Sequence, residues 1–484
     1  LTSFLRNVKI PLQINKGKME KTKTTLIKNG RVVLGQNVTR QDVLIRGEKI
    51  AAVSRLSNHK PDIEINAEGL LVLPGAVDTH VHFNDKFMHT VSVHDYYSGT
   101  LAAAYGGVTS IIDFSNQAPG DSLVSTIKNK KEEAQGKALI DWGVHPVITQ
   151  PTQRTLNEIP LIVREGAPTV KCYMTYRSEG LMIEDKDLRL ILERLRKAGG
   201  MLMVHAEDND TIERNVSSMI SAGLREPIYH AKSRPIEAEN RAIRRCIELA
   251  RKTGGRIFIV HMATDEGINL ISKARAEGLD VIAETCTHYL VFTDRMLERS
   301  DGIKWICSPP LRSQSVQDSL WAGLRDGRIS MVTSDDAAYS WEAKLSGAGR
   351  FDECPNGIPG IETRLNILYS EGVSKGRLSL ARFVELVSTT PARLFGLTPQ
   401  KGSLAPGTDA DIVIFDPEAK WTMNKKTLHM APNWAAYDDI EITGKIVKVF
   451  SRGDLIIDEG RCLAEKGRGR YLYRKLDLPA PTSI

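Results

Sequence analysis

No uncharged apolar run in this 484-residue chain approaches bilayer-spanning length, and no continuous apolar core ending in a small-residue cleavage site stands near its start. Neither a transmembrane helix nor a secretory signal is expected, and a soluble protein is. The six cysteines, Cys172, Cys246, Cys286, Cys307, Cys354 and Cys462, lack C-x-x-C spacing and sit mostly in apolar runs such as KCYM and KWICSPP. That excludes a disulfide-stapled scaffold and points to reduced thiols in a cytoplasmic compartment. An excess of one charge is missing too. Residues 1–30 hold seven basic side chains against one acid, and the rest of the chain is balanced at 58 against 58, so the net +6 belongs to a tail. Such a distribution gives no nucleic-acid-binding surface. No GxGxxG or GxxxxGK[ST] follows a strand-like run, which sets aside dinucleotide and P-loop chemistry.

What is present is ample core material, with 41% hydrophobic and 26% charged residues, which excludes a disordered chain. From Thr24 to Val72, short runs such as TTLIKNGRVVL and DVLIRGEKIAAVS alternate with Asn-Gly or Gly turns, as in a small antiparallel sheet. The same punctuation returns between Gly402 and Gly460 in GSLAPGTDADIVIFDP and ITGKIVKVFSRGDLIIDEG. Two such segments at opposite ends of a chain can pair into one sandwich-like domain. Between Gly75 and Leu397, apolar runs of four to six residues alternate with helical segments such as IEAENRAIRRCIELARKTGG. Strands of this kind are buried on both faces, and about eight units fit, so the spacing predicts a (β/α)8 barrel of the TIM type. The expected organisation is an N-terminal extension over 1–23, a β-sandwich in two parts over 24–74 and 399–460, the barrel over 75–398, and a C-terminal arm over 461–484. The first 18 residues read equally as a targeting remnant, an upstream extension or added sequence.

Five strand-like runs end in a ligand-type residue: His80 and His82 in LPGAVDTHVHF, Lys171 in TVKCYMTY, His205 in GMLMVHAED, His261 in RIFIVHMAT, and Asp335 in ISMVTSDD. Carboxyl ends of barrel strands converge on one face, and side chains two apart on a strand point the same way. A lone strand-end histidine is more often a hydrogen-bonded residue than a ligand, so the weight rests on the set. Four imidazoles, a carboxylate and one further anionic ligand suit two divalent ions sharing a site. Lys171 by default is a salt-bridge partner. In a dry site, however, its amine loses its proton more easily and can add carbon dioxide to become a bridging carbamate.

The stretches LPGAVDTHVHF, AAAYGGVTSIIDF, TVKCYMTYRSEG, MLMVHAEDND, FIVHMATDEG, ETCTHYL, CSPPLR, PNGIPGIETR and PARLFGLTPQKGSLAPGTDADIVIFDP together resemble the dihydropyrimidinase and D-hydantoinase family of the amidohydrolase superfamily, over nearly the whole chain from Lys21 to Arg474. The resemblance implies a cyclic amidase with two divalent metal ions, usually zinc, with manganese or cobalt as alternatives. His80 and His82 would bind the more buried ion, His205 and His261 the more exposed one, carboxylated Lys171 would bridge them, and Asp335 would complete the buried site and act as the catalytic acid and base. Tyr176 would be the oxyanion-stabilising tyrosine, otherwise a core residue. Ser308 and Asn356 would hold the ring through their main chain, otherwise ordinary turn residues. The product would be an N-carbamoyl amino acid, and the assembly a homotetramer. The tail, where Arg468, Arg470, Arg474 and Lys475 lie beside Tyr471 and Tyr473, would serve as an arm docking on a neighbour, otherwise a solvated end.

Three positions depart from that family's pattern: Asp336 where His is common, His288 where Gln is usual, and His89 where Gly is usual. Phe87, Met88 and His89 are expected to line the pocket for the exocyclic group, with His89 narrowing its mouth. An apolar pair there favours an unsubstituted or apolar ring, because a carboxylate would be desolvated without the arginine that dihydroorotases carry where Asn84 stands here. The small-molecule partner is thus a cyclic amide or ureide. The alternatives are an allantoinase-like ureide hydrolase and, from another class, the non-catalytic dihydropyrimidinase-like assembly proteins, which have lost the ligands that this chain retains.

Overall fold

The computed structural model describes residues 23–56 and 59–477, so the expected N-terminal extension lies outside the described residues but for Lys23. Eight parallel strands form the barrel: β1 (Ala76–Val81), β2 (Val108–Asn116), β3 (Asp141–Val147), β4 (Thr169–Tyr173), β5 (Met201–His205), β6 (Ile257–Ile259), β7 (Val281–Cys286) and β8 (Met331–Thr333). They neighbour one another in chain order, and the ring closes through a parallel bridge between Val81 and Asp336, with the His82 amide donating to the Asp336 carbonyl at 3.1 Å. Burial on both faces explains their continuous apolar runs.

The intervening helices bury one stripe each. Asp185–Ala198 turns Leu188, Ile191, Leu192 and Leu195 inward and stops at Gly199, whose left-handed φ of 76° ends the helix without a Cβ penalty. Inside the barrel, Val77, Phe114, Met203, Phe258 and Met331 pack with Phe395, Leu472 and Leu476, residues that follow the barrel in sequence.

The chain ends build a second sheet of nine strands, joined where Leu71–Pro74 pairs antiparallel with Ile412–Met423. Ile27, Val43 and Ile50 from the first part share a core with Ile412, Ile414 and Phe450 from the second. The sheet is not purely antiparallel, as the sequence suggested: Thr24–Leu34 pairs parallel with both Ile63–Asn66 and Leu71–Pro74. Leu71–Pro74 then passes through Gly75 directly into β1. A Cβ on Gly75 would lie 2.2 Å from Thr109 Oγ1, so only glycine lets the chain cross there.

The C-terminal tail runs back along the chain it belongs to. Its anchors are used on its own barrel: Trp142 donates to the Arg470 carbonyl, Leu472 to the Trp142 carbonyl, and the fully buried Arg474 to Val144 O at 2.6 Å and Thr169 Oγ1 at 3.0 Å. The open lower end of the barrel needs an apolar lid and donors for its strand carbonyls, and the tail supplies both. Its final residues, 478–484, lie outside the described residues.

One buried cation fastens these parts. Lys401 Nζ lies 2.6 Å from Asp141 of β3, 2.8 Å from Asp411 and 2.9 Å from Asp409, and Asp141 also accepts from Arg452 Nε and the Arg470 amide. Burial alone would lower the lysine's pKa, but the three carboxylates raise it above its ordinary value. Lys401→Met should therefore leave three carboxylates without their central counter-ion and cost about 3–5 kcal/mol, read as a fall in the denaturant midpoint. An unchanged midpoint would show that Arg452 suffices.

Candidate metal centre

At the carboxyl end of the barrel, His80 lies in β1 and His82 just beyond it, Lys171 in β4, His205 closes β5, and His261 and Asp335 each stand two residues past β6 and β8. The structure brings all six to one small cavity of about 50 Å³, which Phe87, Tyr176, Ser308 and Asn356 also line. His261, Asp335 and Tyr176 hold left-handed φ values of 37°, 48° and 67°, a strain of about 1–3 kcal/mol each that collects at functional sites.

Asp335 Oδ1 lies 3.0 Å from His80 Nε2 and 3.4 Å from His82 Nε2. The His205 and His261 rings meet edge to face with centroids 4.4 Å apart, and His80 and His261 are separated by 5.4 Å. Carboxylates hold the opposite ring nitrogens: Glu284 with His80 Nδ1 at 2.5 Å, Asp85 with His82 Nδ1 at 2.9 Å, and Glu207 with His205 Nε2 at 2.7 Å. These partners orient the rings toward the cavity. His261 Nδ1 is buried without a hydrogen-bond partner among the described residues, as suits a ring nitrogen presented to a cation.

Burial pushes Lys171 down to about 8, so an appreciable neutral fraction exists near neutrality, and its Nζ lies 4.9 Å from the ring centroids of Phe114 and Tyr173. Burial would raise Asp335, but the imidazoles of His80 and His82 outweigh it and hold this carboxyl well below the ordinary range. Burial raises the Tyr176 phenol, keeping it a neutral donor, although Arg234, 5.4 Å from its ring, opposes the shift. Asn356 Nδ2 donates to the Tyr176 hydroxyl at 3.3 Å, and Ser308 hydrogen-bonds the same phenol.

The expected substrate loop divides. Phe87 lines the inner cavity and Met88 an adjoining one of about 420 Å³, which shares Tyr176 and Asn356 with it. His89 lines neither, contrary to expectation. It sits at the tip of the Lys86–Phe87 and Thr90–Val91 hairpin, where its exposed ring reaches Ser346 Oγ at 2.8 Å. The second departure, Asp336, turns away from the histidines: its carboxylate takes Nδ1 of His94 at 2.7 Å and the amides of Gly360 and Ile361. The orienting carboxylates are what sequence reasoning missed. Glu207, two residues after His205, and Asp85, three after His82, were close enough in sequence to be found, whereas Glu284 was not.

An eight-stranded parallel barrel with imidazoles, a buried amine and a carboxylate gathered at its strand ends defines a barrel with candidate metal-binding residues. Residues 71–456 match the amidohydrolase family, whose members generally depend on two metal ions, and the chain belongs to that family. It is 41% identical over 458 residues to D-phenylhydantoinase of Escherichia coli strain K12, covering 94% of this chain and 99% of the relative. The dihydropyrimidinase of Brevibacillus agri NCHU1002 superposes with a TM-score of 0.92 at 38% identity, over 94% of this chain and 100% of that one. The L-hydantoinase (dihydropyrimidinase) of Arthrobacter aurescens gives 0.87 at 30%, with the same coverage. Within its family this chain is thus a cyclic amidohydrolase of the dihydropyrimidinase and hydantoinase group. Among the described residues no helix is long and apolar enough to cross a membrane.

Glu284→Ala should release the His80 ring and lower divalent-metal affinity about 10- to 100-fold, measured by competition against a chelator. The metal-depleted protein should also show a pH signature. Burial pulls His82 down, but Asp335 and Asp85 raise it to about 9. The stabilisation from a charged His82 is then complete below its unfolded value near 6.5 and is lost as pH rises through about 9. The denaturant midpoint of chelated protein should fall across that interval, and His82→Gln should flatten the fall.

Proposed function

We propose that this chain hydrolyses the cyclic amide bond of hydantoins and dihydropyrimidines to N-carbamoyl amino acids. His80, His82 and Asp335 would hold one divalent ion, His205 and His261 a second, both zinc by preference, with Lys171 between them as a carbamate. The observation that carries this reading is the convergence of six ligand-type side chains on one cavity, three of the rings held from behind by carboxylates. When bound, such a pair of ions supplies hydroxide at neutral pH and polarises a carbonyl.

The chain's own residues do the rest. The neutral Tyr176 phenol donates to the oxygen that gains charge as the amide carbon becomes tetrahedral. Ser308 and Asn356, beside it, hold the -CO-NH-CO- unit in place. Asp335, kept ionised by its imidazole neighbours, takes up the nucleophile's proton and returns it to the ring nitrogen as the C–N bond breaks. Phe87 and Met88 give the exocyclic group an apolar surround, which disfavours a charged ring such as dihydroorotate. An allantoinase-like activity is not favoured by the relatives, and all six ligand-type residues speak against a non-catalytic assembly protein. The reading extends to a cytoplasmic homotetramer. Supporting it are the buried free thiols of five cysteines and the 63% exposure of Tyr473 in the tail.

Purified enzyme assayed side by side should open dihydrouracil and hydantoins faster than dihydroorotate or allantoin; the reverse order would overturn the substrate assignment. Tyr176→Phe should lower kcat about 10²- to 10³-fold with metal content intact. Lys171→Ala should lose metal and activity together, with partial rescue by short carboxylic acids, and a fully active variant would remove its bridging role.

A further inference from the structure

A second set of ligand-type atoms adjoins the first. Cys286 closes β7 on the same face as Glu284, two residues before it, and its Sγ lies 3.5 Å from Thr333 Oγ1 of β8. His288 follows in the short helix Thr287–Val291, wholly buried, with its ring centroid 4.2 Å from that of Tyr289. Neither of its ring nitrogens meets a hydrogen-bond partner among the described residues. A neutral imidazole carries a lone pair on one nitrogen, and with no donor taking it here, that nitrogen of His288 is free to bind a cation. The ligand atoms of Cys286, His288 and Asp335 lie within 4.8 Å of one another. Tetrahedral zinc holds sulfur, nitrogen and oxygen ligands about 3.5 Å apart, so an ion bound here would draw the three atoms together.

We propose that Cys286, His288 and Asp335 form a third cation site for a thiophilic divalent ion such as zinc, and that filling it draws Asp335 away from His80 and His82, so that excess zinc inhibits the enzyme. The inhibitory consequence rests on the reading above that Asp335 serves the catalytic centre; the site itself does not. Binding would form one bond from each of three ligands and release the Cys286 thiol proton to solvent. A thiolate is what sets this site apart, because the centre at His80, His82, Lys171, His205, His261 and Asp335 contains no sulfur.

Titrating the chelator-treated full chain with cobalt(II) separates the two. Cobalt held by imidazole and carboxylates lacks the intense near-ultraviolet thiolate charge-transfer band that a Cys286 ligand would give. The expected course is two equivalents without that band, then a third that brings it. Cys286→Ser should abolish the band, and His288→Gln, a mild change should the first variant fold poorly, should weaken the third step at least about tenfold. His288→Gln should also shift inhibition by zinc to correspondingly higher concentration. Absence of the band at saturating cobalt, or a band unchanged in both variants, would overturn the site. Zinc inhibition unchanged in His288→Gln would overturn the link through Asp335. Fewer than two equivalents in the first phase would contradict the binuclear reading instead, while the band would still decide the third site.

Discussion

Glu284 grips His80 Nδ1 at 2.5 Å where neither side chain meets solvent. That contact fixes which nitrogen of His80 carries the proton and turns Nε2 toward Asp335, and it ties β7 across the barrel mouth to β1. The other rings repeat the device, with Asp85 behind His82 and Glu207 behind His205. Two of these carboxylates are themselves held: Asn116 donates to Asp85 at 2.6 Å, and Arg234 lies 3.0 Å from Glu207, which burial would raise but Arg234 and His205 bring to about 2. Buried charge is tolerable only when paired, so a site this dry demands an outer ring of charges as ordered as the inner one.

Buried charge recurs at the opposite end of the barrel, held there by hydrogen bonds for one residue and by ion pairs for another. Arg474 is fully buried against Val144 and Thr169, and burial lowers it to about 10 without displacing its proton at neutral pH. Lys401 gathers three aspartates there, one from β3 and two from the chain's second sheet strands' approach. Strand β3 is thereby held from below by charges that belong to the chain ends, which ties segments hundreds of residues apart to the barrel that carries the site.

Much of this was legible in the sequence because two periodicities carry it. Continuous apolar runs marked the barrel strands, and a strand-terminal residue must sit at the mouth, so His80, Lys171, His205 and their companions could be named. What escaped was whatever depends on a partner far away. Glu284 stands 204 residues from His80, and among 59 acidic residues nothing local distinguishes it. His89 misled because a hairpin tip turned its ring outward to Ser346, a direction that spacing does not encode. The tail's seat on its own barrel was equally hidden: arginines and tyrosines without apolar periodicity resemble a surface arm, and nothing in their spacing tells that they cap strand carbonyls beneath the barrel.

Asp336 shows how a departure can be absorbed. One carboxylate oxygen takes His94 Nδ1, whose Nε2 accepts from the Ala431 amide, and the other takes the amides of Gly360 and Ile361. Those amides belong to the segment that carries Asn356 to the Tyr176 hydroxyl. A residue next to Asp335 in sequence therefore serves the substrate side of the pocket while Asp335 serves the histidines. The left-handed turn at Asp335, just beyond β8, sends the two neighbouring carboxylates to different sides. It lets position 336 change without disturbing the ligand set, and it makes the loop bearing Asn356 depend on a buried aspartate and histidine pair.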